Sequence, residues 1–446
     1  MREKHSLTEG SVGQNLLWFA LPYLLSCFMQ TFYGMADLFV VGLYNGSKTT
    51  TAVAIGSQVI HMLTVIIVGF AMGTTVRIGR SVGAGDKKAA SLAVGTSVLL
   101  FTGLAAVLTV LLVLLAFPIT RVMMTPKEAV EETVSYLRIC FAGIPFITAY
   151  NVISSIFRGA GDSKRPMYFV GIACGVNIFL DFLFIGTFHM GAAGAALGTV
   201  CGQGVSVAAA LLVMGRCDLG FQVTKKDFGF QREMASDILK VGMPIALQDG
   251  LIQIAFIVIT VIANSRGLID SASVGIVEKI ISFMFLVPSA FLSAISAITA
   301  QNMGAGKPGR ARQTLKYGLL ITMGWGIFCA LYSQFLPQTL VGLFTRDAMV
   351  LLAGCAYLRS YSFDCFFAGI HFCFSGYFCG DQKSGISFLH NIASILLVRI
   401  PGAYLASVYF PENLYPMGLA APAGSLLSGV ICVLFYLYYR KEYRAE

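Results

Sequence analysis

The chain has 446 residues, of which 57% are hydrophobic and only 12% are charged, and its mean hydropathy is +0.77. A soluble globular chain carries roughly 25% charged residues. The composition therefore excludes a soluble globular protein and indicates a chain that crosses a membrane many times. The formal charge of +9 needs no nucleic-acid partner, because cationic loops beside the membrane account for it.

Twelve apolar segments are long enough to span a lipid bilayer. The first six are predicted at 15–43, 51–76, 91–117, 133–157, 166–188 and 193–215, and the second six at 239–265, 272–299, 314–336, 353–379, 385–409 and 417–439. The only long polar break, 216–238, separates the two sets. The sequence thus predicts an all-α integral membrane protein with an N-terminal lobe over 1–215, a linker over 216–238 and a C-terminal lobe over 239–446.

Short motifs recur in the two predicted lobes at a spacing of about 220 positions. The repeated motifs are Gly83-Ala84-Gly85 with Gly304-Ala305-Gly306, Tyr136-Leu137-Arg138 with Tyr357-Leu358-Arg359, Gly161-Asp162 with Gly380-Asp381, and Pro22 with Pro244. A repeat of half the chain, built from membrane spans, is typical of a two-lobed transporter. The glycine-rich stretches at 83–86 and 159–162 lack the spacing of phosphate-binding loops, and we interpret them as tight turns in which glycine adopts positive φ.

The distribution of Lys and Arg predicts the orientation of the chain, because cytoplasmic loops carry an excess of positive charge. With the N-terminus inside, the cytoplasmic segments hold 22 Lys and Arg residues and the opposite loops hold 5. We therefore expect a multi-pass protein of the cytoplasmic (inner) membrane, with the 216–238 linker and both termini on the cytoplasmic side.

Two carboxylates lie inside predicted spans, where an unpaired charge is costly and therefore indicates function. Asp37 in span one and Asp181 in span five are each about five residues from the outer end of their span, so they have matching depth. Asn177 lies one helical turn before Asp181 on the same face. Two carboxylates with an amide can bind Na⁺ or retain a proton. The alternative is a hydrogen-bonded cluster that only joins helices.

The ordered motifs resemble those of the multidrug and toxic compound extrusion (MATE) family across essentially the whole chain. The motifs are Asp37-Leu38-Phe39-Val40-Val41-Gly42, Gly83-Ala84-Gly85, Arg158-Gly159-Ala160-Gly161-Asp162, Asn177-Ile178-Phe179-Leu180-Asp181, Gly194-Ala195-Ala196-Leu197-Gly198-Thr199 and Gln301-Asn302-Met303-Gly304-Ala305-Gly306. The resemblance implies twelve transmembrane helices in two pseudo-symmetric six-helix lobes. It also implies a secondary antiporter, not an enzyme, that exports amphiphilic or cationic compounds in exchange for Na⁺ or H⁺.

The resemblance also assigns candidate residues to a cation site in the N-terminal lobe. Asp37, Asn177 and Asp181 match the acidic and amide positions of that site, and Asn151 and Thr199 are the expected contributors from spans four and six. Straight-helix counting places Asn151 nearer the cytoplasmic end than Asp181, so its participation requires either a bend at Pro145 or a different span boundary. No cofactor or metal is expected beyond a coupling Na⁺ or H⁺, and we expect a monomer.

The C-terminal lobe lacks a copy of the carboxylate pair at the repeat spacing, which favours the DinF-like branch of the family. Span ten is instead rich in aromatic residues around Asp364, and such a wall suits a lipophilic cation. The predicted substrate contacts are Asp364, Tyr361, Phe367 and His371 in span ten, Gln248 and Asp249 in span seven, and Glu278 in span eight. Removing the Asp364 charge should then weaken cationic ligands selectively.

Two other functions remain open from the sequence. A flippase for a lipid-linked saccharide shares the lobed architecture, but its groove should contain several cationic residues for the pyrophosphate. Only Lys279 and Arg399 lie in spans away from the ends. A membrane-bound group transferase would need an interfacial cluster of His and carboxylates, which the loops do not supply.

Overall fold

The computed structural model describes residues 7–445, with side chains up to Tyr439, and all regular structure in this range is helical. Ten helices in the described range are long and apolar enough to cross a membrane, or eleven when one bent pair counts as a single span. The predicted all-α membrane fold is confirmed. Residues 1–6 and 446, which the predicted lobes include, lie outside the described residues.

The predicted fourth and tenth spans are each built from two shorter helices. The fourth consists of Val130–Ala142 and Ile144–Gly159, which meet at a bend of 46°. The tenth consists of Ala348–Tyr361 and Asp364–Gly380. Each piece is shorter than the roughly 20 residues that cross a bilayer, so residues 7–445 contain fewer than twelve continuous apolar helices.

One compact unit comprises residues 21–242. Its helices are α1 (Val12–Tyr44) from Leu21 onward, α2 (Ser47–Gly83), α3 (Lys87–Val122), α4 (Val130–Ala142), α5 (Ile144–Gly159), α6 (Lys164–Asp181), α7 (Gly191–Arg216) and the first part of α8 (Arg232–Asn264). A π-helical segment, Phe182–Thr187, continues α6. Ile238 at the start of α8 is buried among Ala71, Ile78 and Val94 of this unit.

The second compact unit comprises residues 243–445 together with the described part of the chain up to Ala20. After the remainder of α8 its helices are α9 (Leu268–Met284), α10 (Leu286–Gly304), α11 (Pro308–Phe335), α12 (Pro337–Val341), α13 (Ala348–Tyr361), α14 (Asp364–Gly380), α15 (Ser384–Ser394), α16 (Ile400–Tyr409), α17 (Tyr415–Gly418) and α18 (Ala420–Ala445). A π-helical segment, Ile395–Arg399, joins α15 to α16. Leu16 and Phe19 of α1 are buried in this unit against Phe291 and Ile295.

The turns that end α2, α5, α10 and α14 share one backbone design. A residue with positive φ follows each helix: Gly85 (73°), Gly161 (93°), Gly306 (67°) and Gln382 (63°). Gly85 and Gly306 are 221 positions apart, and so are Gly161 and Gln382. The repeated sequence motifs pair Gly161 with Gly380. The positive-φ positions instead pair Gly161 with Gln382, which lies two residues after Gly380. The predicted positive-φ turns in the first half are confirmed.

The 216–238 segment is held against α3 of its own unit. Ser91 Oγ donates to Gln222 O at 2.7 Å, and Lys88 Nζ lies 3.4 Å from Asp227 Oδ1. Asp227 Oδ2 accepts hydrogen bonds from the backbone N–H and the hydroxyl of Thr224, which lower the pKa of Asp227 below its usual value. The segment between the two sets of helices is therefore an ordered part of the 21–242 unit.

Candidate functional site

Asp37 is the centre of a buried polar cluster in the 21–242 unit. Its side chain is 3% exposed, and Thr199 Oγ1 of α7 donates a hydrogen bond to Asp37 Oδ2 at 3.2 Å. The side chain of Asp37 also interacts with those of Asp181 and Asn177 on α6. Helices α1, α6 and α7 thus bring four of the five predicted cation-site residues together.

The cluster is short of hydrogen-bond donors. Asp37 Oδ1 and both carboxylate oxygens of Asp181 have no donor among the described residues, although Asp181 is fully buried. The amide of Asn177 lies near Asp37, yet neither of its side-chain atoms satisfies hydrogen-bond geometry. A buried anionic oxygen without a donor costs free energy. The arrangement is therefore suited to an added cation or proton.

Close packing of α7 against α6 positions Asp181. A methyl group added at Gly198 would meet Asp181 Oδ1 and would lie 3.5 Å from Asn177 Nδ2. One turn later, a methyl group at Gly202 would lie 3.0 Å from the Ala173 carbonyl oxygen. The absence of a side chain at these positions lets the carboxylate approach α7.

Gly198→Ala is expected to reduce gradient-driven export at least about tenfold, because the new methyl group must displace the Asp181 carboxylate. Gly204→Ala is the matched control in the same helix, since a methyl group there makes only ordinary contacts of 3.9 Å or more. Both variants should be compared for folded yield and for initial export rate. Equal rates for the two variants would contradict the proposed packing role of Gly198.

Asn151 is the predicted site residue that the described contacts do not join to the cluster. Of the two alternatives that the sequence left open, a bend near Pro145 is present, at the junction of α4 and α5. However, Asn151 Nδ2 donates at 2.8 Å to the carbonyl of Ile147 in its own helix. Asn151 is 3% exposed, and its role in the cation site stays a prediction.

Two further residues lie near Asp37, and a third contacts one of them, none of which the sequence analysis selected as site residues. The phenol of Tyr33 interacts with Asp37 and with the amide of Gln203, and Tyr136 also lies within electrostatic range of Asp37. Tyr136 is 1% exposed. Tyr136 could have been selected from the sequence, because it belongs to the repeated motif Tyr136-Leu137-Arg138. Tyr33 and Gln203 are uncharged and belong to none of the repeated motifs, so a single sequence does not indicate them as site residues.

A second polar cluster, in the unit that contains residues 243–445, is organised around an ion pair. Arg399 Nη2 lies 3.2 Å from Asp364 Oδ2 and 2.6 Å from Ser425 Oγ. Ser425 Oγ is in turn 3.3 Å from Nε2 of His371. Asp364 is fully buried. Its charge is therefore compensated within the protein, which the sequence analysis did not anticipate.

Arg399 also lines a concave pocket in this unit. The pocket is formed by α8, α14, α15 and the residues beside them, and its aromatic and polar lining includes Phe256, Phe285, Phe372, His371, Asn391 and Arg399. The rings of Phe285 and Phe372 are 6.1 Å apart. Among the predicted substrate contacts, only His371 lines this pocket.

The other predicted substrate contacts lie outside this pocket lining, and Tyr361 lies within electrostatic range of both Asp364 and Glu278. Tyr361 is 1% exposed in the hydrophobic core, and half-buried Phe367 packs edge-on against Phe366 at 5.3 Å. Glu278 accepts a hydrogen bond from Thr260 at 3.2 Å. Gln248 is buried and interacts with Asp249. Substrate contact by these residues and by Asp364 stays a prediction.

Comparison with known proteins supports a family assignment. The chain is 27% identical over 437 residues to the Probable multidrug resistance protein YpnP of Bacillus subtilis (strain 168), covering 98% of this chain and 97% of the relative. It is 25% identical over 454 residues to the FAD transporter of Shewanella oneidensis, covering 99% of this chain and 97% of that relative.

A solved structure described as the outward-facing conformation of a multidrug resistance MATE family transporter of the MOP superfamily has the same fold. The TM-score is 0.92 at 24% sequence identity, and the match covers 100% of both chains. The MatE family model matches residues 22–183 and 244–405, one segment in each half. These segments together span more than half of the sequence, so the chain belongs to the MatE family, as its motifs predicted.

Proposed function

We propose that the protein is a secondary active efflux antiporter that exports amphiphilic or cationic compounds in exchange for Na⁺ or H⁺. The observation that carries the proposal is the buried Asp37–Asp181 pair, whose three unpartnered carboxylate oxygens face no Lys or Arg among their described interactions. A carboxylate that couples transport must bind and release its ion in every cycle. A permanent salt bridge to Lys or Arg would prevent this exchange.

The residues of the cluster fit either coupling ion. Asp37, Asp181, Asn177 and Thr199 offer carboxylate, amide and hydroxyl oxygens, which are suitable ligands for Na⁺. A proton shared between Asp37 and Asp181 would also relieve the repulsion of two buried carboxylates. The choice between the two ions is left to experiment.

Family membership and the relative named as a multidrug resistance protein support drug export. The relative named FAD transporter indicates that membership alone does not define the substrate. The flippase alternative gains no support from these names, and we propose no enzymatic activity. Assignment to the DinF-like branch stays a prediction based on the N-terminal carboxylates.

We further propose that the protein acts as a monomer in the inner membrane with its termini in the cytoplasm. Cysteines introduced at Lys48 and Arg346, in loops predicted to be external, should react with an impermeant maleimide in intact cells. A cysteine at Lys225 should react only after lysis, because the 22-to-5 bias of Lys and Arg predicts that this segment is inside. Labelling of position 225 in intact cells would contradict the orientation.

The proposed function is tested by ethidium accumulation in cells that lack their own exporters. Na⁺ and pH gradients are imposed separately, in inverted vesicles as well as in cells. We expect export only when one of the gradients is present, and collapse of that gradient should stop it. Export that persists without either gradient but requires ATP would refute the antiport mechanism.

A further inference from the structure

A second pocket lies at one end of the unit that contains residues 243–445. Arg312 comes from the first turns of α11, Asp381 and Lys383 come from the turn after α14, and Tyr436 and Tyr439 come from the last part of α18. The orientation proposed above places this end of the helices on the cytoplasmic side. Because membrane-spanning helices begin and end here, the pocket lies at the level of phospholipid headgroups.

The lining of this pocket carries an excess of positive charge. Lys383 Nζ lies 3.2 Å from Asp381 Oδ2 and 3.7 Å from the centre of the Tyr439 ring, so the carboxylate offsets the ammonium. Arg312 is half-buried and has no hydrogen bond or ion pair among the described residues. A guanidinium carries five N–H donors. The pocket is therefore suited to an anionic group that accepts hydrogen bonds from Arg312.

Tyrosine side chains form the aromatic wall of the pocket. The rings of Tyr377 and Tyr436 are 5.7 Å apart, and Tyr436 and Tyr439 are half-buried. Tyrosine is enriched at the boundary between membrane and water, because its ring packs against apolar groups while its hydroxyl reaches polar ones. The wall thus has the composition of a site that contacts lipid headgroups.

An apolar strip of α18 leads away from the pocket. Val430, Val433 and Leu437 are all exposed, and their spacing of three and four residues places them on one face of the helix. Val433 lies one turn before Tyr436 of the pocket lining. A ligand with an anionic group in the pocket and a hydrocarbon chain along this strip would contact both surfaces. A soluble anion would contact only the first.

We propose that this pocket binds the headgroup phosphate of an anionic phospholipid. Arg312 donates two parallel N–H groups to the phosphate oxygens, which is the contact that a planar guanidinium makes best, and Lys383 adds a second cation. One acyl chain lies along the strip of α18. Basic pockets between transmembrane helices recognise lipid headgroups by the same chemistry. The pocket shares no residue with the Asp37 cluster, so lipid binding is independent of the proposed antiport.

The test measures lipid binding to the full-length protein by native mass spectrometry, with dioleoyl phosphatidylglycerol and dioleoyl phosphatidylcholine titrated separately. The two lipids share their acyl chains and a phosphodiester but differ in net charge. We expect the first phosphatidylglycerol to bind about tenfold more tightly than the first phosphatidylcholine, as one charge-assisted contact would give. Equal affinities would overturn the proposal.

Inorganic phosphate in excess distinguishes a lipid site from a site for a soluble anion. We expect it to leave phosphatidylglycerol bound, because inorganic phosphate makes no contact with the apolar strip of α18. Displacement of the lipid by inorganic phosphate would overturn the lipid assignment and would identify the pocket as a site for a soluble anion.

Three variants locate the effect. Arg312→Gln should bring the affinity for phosphatidylglycerol to within about twofold of that for phosphatidylcholine, because the guanidinium contact is lost. Lys316→Gln is the matched control, since Lys316 is an exposed cation one turn after Arg312 and outside the lining. Equal losses in these two variants would show that the lipid responds only to overall positive charge, and would overturn the site.

Asp381→Asn should strengthen phosphatidylglycerol binding several-fold, because it removes the carboxylate that faces the phosphate. A gain of binding cannot result from unfolding, so this variant tests the site even if Arg312→Gln folds poorly. Unchanged or weaker binding would count against the proposal. Ethidium export is measured on the same proteins, and a lack of gradient-driven export would refute the proposed function without affecting the lipid preference.

Discussion

Asp181→Asn and Asp37→Asn are each expected to abolish gradient-driven export while leaving a folded protein in the membrane. We expect the export rate to fall by about 100-fold or to background, which is the upper range of the coupling between two ligand sites. Asparagine has nearly the shape of aspartate and relieves the cost of a buried charge, so folding should be preserved. Initial ethidium export under the active gradient measures the loss.

The physical reason is that a ligand shifts a conformational equilibrium only by its difference in affinity for the two states. An ion that binds the Asp37–Asp181 pair more tightly in one state can drive the change between states. Without one carboxylate, the ion loses its main ligand, and the gradient no longer biases the equilibrium. Ethidium binding in the absence of a gradient should therefore remain measurable in both variants.

Asp249→Asn is the matched control, because Asp249 lies in the other compact unit and is not part of the Asp37 cluster. We expect it to reduce export far less than either variant of the pair. Export at the wild-type rate by Asp37→Asn or Asp181→Asn would show that coupling depends on other carboxylates, and attention would move to Asp249, Glu278 and Asp364.

Arg399→Gln alone is expected to destabilise the protein by about 3–5 kcal/mol, because it leaves Asp364 buried without its cation. Asp364 is 0% exposed and lies 3.2 Å from Arg399 Nη2. The double variant with Asp364→Asn should recover most of this loss, since no charge then stays buried. Thermal unfolding in detergent, followed by tryptophan fluorescence, gives the values for a double-mutant cycle.

The control for this cycle is the pair formed by Lys48 and Glu132, whose side chains are 49% and 28% exposed. Lys48→Gln should cost no more than about 1 kcal/mol, because water screens exposed ion pairs. If Arg399→Gln is as mild as Lys48→Gln, then Asp364 is either protonated or hydrated, and the buried ion pair does not stabilise the fold.

The sequence predicted the membrane class, most of the spans and the proximity of the two carboxylates, because these follow from hydropathy and from the cost of intramembrane charge. It did not predict that spans four and ten are each built from two short helices. The depth argument for Asp37 and Asp181 agrees with their proximity. Thr199 was identified by family resemblance, and its hydrogen bond to Asp37 gives that identification a geometric basis. The ion-coupling role of all three stays a prediction.

The pairing of Asp364 with Arg399 could not be predicted, because it depends on the local path of two helices. Arg399 is the last residue of a π-helical segment, and Asp364 begins a helix after the break at Ser362 and Phe363. A single residue added to or removed from a helical turn rotates every later side chain by about 100°. Repeat spacing in the sequence has an uncertainty of a few residues and cannot resolve such a rotation.

Helices α1 and α8 are each divided between the two compact units, and this determines whether the polypeptide can be expressed as two stable fragments. The unit boundaries fall after Ala20 and after Gly242, beside Pro22 and Pro244, and not in the polar 216–238 segment. Polypeptides 1–230 and 231–446 would thus each lack a helical piece that their own core buries. We expect neither fragment to be stable alone, whereas co-expression of the two should restore a complementing transporter.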